Sequence, residues 1–100
     1  MTFMKIAIIG LGYVGIQLAL ALGEKYKAVG FDLDHSKIES YKLGVDQTGE
    51  VTADQFLSAE KLTYSVDRID LVGCDIYIVA VPTPVDELNQ LYHARFYVAG

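Results

Sequence analysis

Three glycines fall within six positions, at Gly10, Gly12 and Gly15, and an aspartate, Asp32, ends an apolar run about 20 residues later. The order Gly10-Leu11-Gly12-Tyr13-Val14-Gly15 is a G-x-G-x-x-G spacing. It follows "KIAIIG", an apolar stretch too short for a helix, and leads into residues with helical periodicity. In that setting each glycine has its own task. Gly10 permits the tight turn out of a strand, and Gly12 lets the backbone approach a phosphate with no Cβ in the way. Gly15 allows the helix to pack close against the sheet. Free backbone N–H groups and the positive end of the helix dipole favour an anion at that turn. The Asp32 carboxylate can accept both hydroxyls of an adenosine ribose and would repel a 2′-phosphate. The two features together predict a dinucleotide site that takes NAD rather than NADP. The plainer alternative is a structural strand-to-helix turn, with Asp32 capping the element that follows.

Two further side chains belong to the same expectation. Lys37 stands near the start of the second helical segment, where an ammonium can neutralise or hydrogen-bond the adenosine side of the cofactor. Solvated lysines are common at such positions. Thr83 lies between Pro82 and Pro84 at the carboxyl end of the fourth expected strand, the edge where open α/β sheets bind ligands. The alternative there is a plain strand-terminating turn. Elsewhere the chemistry is sparse. Cys74 reads as a buried inert thiol, Tyr64 and Tyr77 as sheet packing, and Asp67 with Asp70 as a solvated loop edge. No Ser/His/Asp or Cys/His set is present, so no catalytic residue is expected. His35 and His93 lie far apart and offer no metal-ligand spacing.

The elements that must hold these residues follow an α/β alternation. "KIAIIG" and "AVGFD" read as strands buried on both faces, "LTYSV" (62–66) as a short strand, and "DIYIVAVPTP" (75–84) as a strand stopped by two prolines. Helices are expected from Tyr13 to about Lys25, over 34–44 with Asp34 or Ser36 as cap and Gly44 past its end, and from Thr52 to an end by Lys61. The last of these opens with the capping box Thr52/Gln55. "VDQTGEV" is a loop, and "DRIDLVGC" a turn or short helix. Right-handed crossovers then give half of a Rossmann-type doubly wound parallel sheet, strand order 3-2-1-4, with helices on both faces.

Composition bounds the rest. One hundred residues with 52% apolar content suit one small core, and a net charge of −5 argues against nucleic acid as a partner. No uninterrupted apolar run reaches the ~18 residues of a membrane span. "MTFMK" lacks the layout of a secretory leader and reads as the mature start of a cytoplasmic protein.

The segments "KIAIIGLGYVG", "VGFDLDHSKIESYKLGVDQTGEV" and "YIVAVPTPVD" resemble, in that order, the N-terminal end of the UDP-glucose/GDP-mannose dehydrogenase family. The similarity is to its nucleotide-sugar 6-dehydrogenases acting on UDP-N-acetylhexosamines or UDP-glucose in surface-polysaccharide synthesis. It covers about residues 4 to 90. The resemblance implies NAD as cofactor and oxidation of a UDP-sugar C6 alcohol to a carboxylate in the full-length enzyme. It implies that Tyr13 and Val14, with the glycines, touch the pyrophosphate and ribose through their backbone, that Asp32 holds the ribose, and that Lys37 sits at the adenosine end. Thr83 would lie towards the nicotinamide half. The family's catalytic cysteine and lysine have no counterpart here, and Cys74 does not match that cysteine's motif.

The organisation expected is an NAD-binding half-domain over residues 1–86 and an atypical tail over 87–100. "LYHARFYVAG" departs from the family's usual continuation and reads as a truncated or frame-shifted end. Since the fourth strand would lack its neighbour, either the tail folds back onto it or two chains pair as a homodimer through that edge or the tail. Other readings stay open: a stand-alone nucleotide-binding regulatory module, or an inactive self-associating truncation product.

Overall fold

The structure, a computed structural model, describes residues 4–80 and the backbone of residues 96–98. The chain runs from β1 (Lys5–Ile9) through α1 (Tyr13–Gly23) to β2 (Lys27–Phe31), then α2 (His35–Lys42) and α3 (Ala53–Ser58). β3 (Leu62–Ser65), a 3-10 turn over Arg68–Leu71, β4 (Ile76–Val79) and β5 (Phe96–Val98) complete it. All strand pairs are parallel, in the order β3-β2-β1-β4-β5. The expected 3-2-1-4 core is therefore present, with one strand added at its open side.

β1 is the hinge of the design. It lies between β2 and β4, with Ile8 opposite both Gly30 and Ile78. Successive side chains of a strand leave on opposite faces. Ile6 and Ile8 accordingly pack with Ile16, Leu20, Ile38 and Phe56 beneath the three helices. Ala7 and Ile9 join Phe31, Leu71, Tyr77 and Val79 on the other side. A strand buried on both faces must be apolar throughout, which is why "IAII" shows no alternation.

Helix boundaries follow their caps. Asp34, not Ser36, caps α2, accepting the Lys37 N–H at 3.1 Å. Gly44 stands just past the end of α2 at φ +74°, a left-handed conformation natural to glycine. The Thr52/Gln55 capping box forms as expected. α3 nonetheless ends at Ser58, ahead of the Lys61 limit expected. Residues 60 and 61 form a turn leading into β3, in which the Lys61 carbonyl accepts the Ala28 N–H at 3.1 Å while the Lys61 N–H donates to Gly23 O at 3.0 Å. Pairing with β2 ends the helix earlier than its periodicity suggests.

The tail supplies the added strand. β5 pairs with β4, Tyr77 opposite Phe96 and Val79 opposite Val98. Of the two alternatives for covering the fourth strand, the structure takes the fold-back. The "VPTP" end of the fourth strand, Thr83 included, lies outside the described residues.

Candidate dinucleotide site

The strand-to-helix turn is built from short backbone bonds. Gly10 leaves β1 at φ +95°, and its N–H donates to Phe31 O at 2.8 Å. Leu11 is fully buried and its N–H donates to Asp32 Oδ2 at 2.9 Å. Gly12 caps α1 with no side chain to offer, and the first turn of α1 carries no acidic residue. The opening N–H groups of a helix have no partners within it. Here no partner for them is seen among the described residues, and the dipole's positive end lies behind them.

The glycines differ in what surrounds them. A Cβ built on Gly15 would sit 1.7 Å from the Gly10 carbonyl oxygen, so α1 meets β1 backbone to backbone. A Cβ on Gly12 would meet no heavy atom of the described residues within 4 Å. One glycine is required by packing inside the fold; the other guards open space at the helix tip. Gly30, in the second strand, also answers to packing, because a Cβ there would come within 3.1 Å of the Leu11 side chain. Tyr13 and Val14, at the same tip, are exposed.

Asp32 follows β2 immediately and lies beside this turn. Its Oδ1 accepts the Asp34 N–H at 3.0 Å, its Oδ2 the Leu11 N–H, and Lys37 Nζ stands 3.5 Å from Oδ2. Partial burial acts to raise its pKa, but the Asp34 and Leu11 hydrogen bonds and the Lys37 charge outweigh burial and hold the carboxyl below its ordinary value. Asp32 is thus a carboxylate in the working range. An ionised carboxylate has about four lone-pair positions, so acceptor capacity remains for sugar hydroxyls.

A second layer was not foreseen. Tyr41, in α2, donates its hydroxyl to Leu11 O at 3.3 Å. Burial and the charges of Asp46, Asp32 and Asp34 push its pKa up. Asp46 organises the loop after α2, accepting the N–H groups of Thr48, Glu50 and Val51. That loop, with Lys37 and Tyr41, walls a cavity of about 110 Å³ opening beside Gly12 and Tyr13. Sequence spacing carried no signal for a buried phenol bonding a carbonyl 30 residues away.

Other expectations are refined. Asp70 is more than a solvated edge, since it accepts the hydroxyl of buried Ser65. Asp67 caps the 3-10 turn. Cys74 is partly buried, and burial raises its pKa. Among the described residues no group of three His, Cys, Asp or Glu could hold a metal ion, and no helix is long and apolar enough to cross a membrane.

The residues present fit a dinucleotide: open space and free N–H groups at one point, a charged carboxylate beside it, and no acidic side chain in the first turn of the helix between. The comparisons agree. A family model described as the UDP-glucose/GDP-mannose dehydrogenase family, NAD binding domain, matches residues 4–96. The UDP-N-acetyl-D-glucosamine 6-dehydrogenase of Pseudomonas aeruginosa is 42% identical over 87 residues, covering 87% of this chain and 21% of that one. The solved UDP-D-ManNAc dehydrogenase of Pyrococcus horikoshii superimposes with a TM-score of 0.69 at 32% identity, over 81% of this chain and 21% of that one. A GDP-mannose dehydrogenase of Pseudomonas aeruginosa shares the fold, with a TM-score of 0.72 at 24% identity, over 88% of this chain and 23% of that one. The chain spans about a fifth of the length of the curated relatives it matches. With the turn, the carboxylate and the sheet order all in register, this chain belongs to the UDP-glucose/GDP-mannose dehydrogenase family, of which it carries the NAD-binding domain.

Proposed function

We propose that this chain is the cofactor-holding part of a nucleotide-sugar 6-dehydrogenase, and that the whole enzyme oxidises the C6 alcohol of a UDP-sugar to a carboxylate. Bound NAD supplies the hydride acceptor. The chain's own residues bind and orient it. The diphosphate lies against the backbone of Gly10, Gly12, Tyr13, Val14 and Gly15, where the first-turn N–H groups of α1 donate to its oxygens. Asp32 accepts the adenosine ribose hydroxyls, and Lys37 moves from the carboxylate towards the adenosine end. Thr83 contacts the nicotinamide half.

The observation that supports this most is the contrast between the two glycines of the turn: a Cβ on Gly15 would strike the Gly10 carbonyl, whereas one on Gly12 would meet no described residue within 4 Å. Relatives named as UDP-N-acetyl-D-glucosamine and UDP-N-acetyl-D-mannosamine dehydrogenases favour a UDP-N-acetylhexosamine as substrate. The reading includes a role in surface-polysaccharide synthesis, in the cytoplasm. The organisation proposed is a half-domain over 1–86 followed by a tail over 87–100, whose residues 96–98 extend the sheet. Because β5 takes the β4 edge, a homodimer would pair through the tail; sedimentation at micromolar concentration showing only monomers would remove that part.

Calorimetric titration with NAD, NADP, ADP-ribose and AMP tests the whole reading. NAD and ADP-ribose should bind with similar affinity and NADP more weakly. Tighter binding of NADP than NAD would overturn the role of Asp32.

A further inference from the structure

A peptide group is planar and, in its trans form, points its carbonyl and the following N–H in opposite directions. No cis peptide occurs among the described residues. The Leu11 carbonyl and the Gly12 N–H belong to one such plane. The carbonyl is held from below: Tyr41, buried beneath the helices, donates its hydroxyl to it at 3.3 Å. The preceding plane is held as well, since the Leu11 N–H donates to Asp32 Oδ2 at 2.9 Å. Tyr41 has little freedom to swing, because its ring packs against Phe56 at 5.7 Å and Tyr64 at 6.0 Å between centroids. With the carbonyl drawn into the core, the Gly12 N–H faces outwards. It has no partner among the described residues, and the position a Cβ would take on Gly12 is open.

We propose that Tyr41 is a positioning residue for the dinucleotide: by anchoring the Leu11 carbonyl it sets the peptide plane that aims the Gly12 N–H at the diphosphate. Tyr41 touches no part of the ligand and acts only through the turn. A helix of ordinary composition could fill the same core volume with an aliphatic side chain; the phenol adds a hydrogen bond that reaches the phosphate-facing loop. This inference rests on the diphosphate lying at the tip of α1, as proposed above.

The test separates the phosphate contact from the rest of the ligand. Calorimetry on the full chain compares ADP-ribose with adenosine, which lacks phosphates, for the unaltered protein, for Tyr41→Phe and for Phe56→Leu. Tyr41→Phe keeps the ring and removes the hydroxyl, so it should weaken ADP-ribose by about threefold to fivefold, the scale of one hydrogen bond of this length, and leave adenosine unchanged. Phe56→Leu loosens the same aromatic cluster. It should lower the melting temperature while keeping the ratio of the two affinities. An unchanged ratio in Tyr41→Phe overturns the proposal, as does an equal loss for both ligands. If the unaltered chain binds ADP-ribose no better than adenosine, the diphosphate placement falls too, and the two failures are thereby told apart. Should Tyr41→Phe not fold, the Cζ resonance of Tyr41 in the unaltered chain decides. It should move with ADP-ribose and not with adenosine, and no movement with ADP-ribose overturns the role.

Discussion

Asp32 accepts the backbone N–H of Leu11 at 2.9 Å, so the carboxylate that ends the second strand also ties down the turn that ends the first. The two residues are 21 positions apart in sequence and meet because β1 and β2 run parallel, with Ile9 opposite Phe31. One side chain thereby serves two purposes. It shapes the glycine turn from within, and in the proposed reading its remaining lone pairs accept the sugar.

That double duty makes Asp32→Asn costly on both counts. An amide offers one acceptor oxygen, whereas both carboxylate oxygens accept backbone N–H groups here. Stability should fall by about 1–3 kcal/mol, measured by urea unfolding, because one N–H loses its partner. Affinity for ADP-ribose should fall by roughly tenfold or more, since charge-assisted bonds to the ribose are lost. An Asp32→Asn chain that binds ADP-ribose as tightly as the parent would exclude the ribose contact.

The glycines should separate folding from binding. Gly12→Ala adds a methyl to open space at φ −70°, a conformation alanine adopts. Its stability should stay within about 1 kcal/mol of the parent, while ADP-ribose binding weakens on the order of tenfold. Gly15→Ala places its methyl 1.7 Å from the Gly10 carbonyl oxygen, and backbone cannot step aside cheaply. That variant should lose about 3 kcal/mol or fail to fold. Thermal melts with parallel titrations check both, and a well-folded Gly15→Ala would contradict the geometry.

Lys37→Met tests whether the lysine belongs to the ligand or to the fold. Its ammonium stands 3.5 Å from Asp32 Oδ2 with a third of the side chain exposed. Such a pair contributes little, so stability should change by no more than about 0.5 kcal/mol. ADP-ribose affinity should drop nonetheless, and more at low than at high salt, because a charge near an anion is screened. No change in affinity at low salt would return Lys37 to the solvated surface.

Acid sensitivity should trace to Asp46 as well as Asp32. Burial acts to raise the Asp46 pKa, but bonds from Thr48, Val51 and Glu50 together more than reverse it, leaving the carboxyl below its usual 3.8. A carboxyl whose folded pKa is depressed adds stability above its unfolded pKa and loses it as pH falls through the folded value. Both aspartates should therefore destabilise the chain as pH drops below about 4. Asp46→Asn should melt a few degrees lower near neutral pH and show a shallower acid limb. An acid limb identical to the parent's would show that the loop does not depend on the charge.

Local chemistry explains how much of this was readable beforehand. The strand-turn-helix at Gly10 to Gly15 and the capping box at Thr52 and Gln55 depend on residues within a few positions of one another, and such interactions leave a mark in spacing. The end of α3 did not, because its limit comes from Lys61 pairing with Gly23 and Ala28. Asp67 and Asp70 looked alike in sequence. Only the fold places Asp70 on the Ser65 hydroxyl while Asp67 caps the turn.

By itself, then, the sequence determined the parallel α/β core, the strand order 3-2-1-4 and the location of the glycine turn between β1 and α1, because hydrophobic period and glycine spacing are properties of the chain's own geometry. Tertiary structure alone decided that Asp32 and Tyr41 grip the two sides of Leu11, that Gly12 faces open space while Gly15 does not, and that residues 96–98 fill the edge beside β4. Those relations join residues far apart in the chain, and they exist only once packing has brought separate elements within hydrogen-bonding reach.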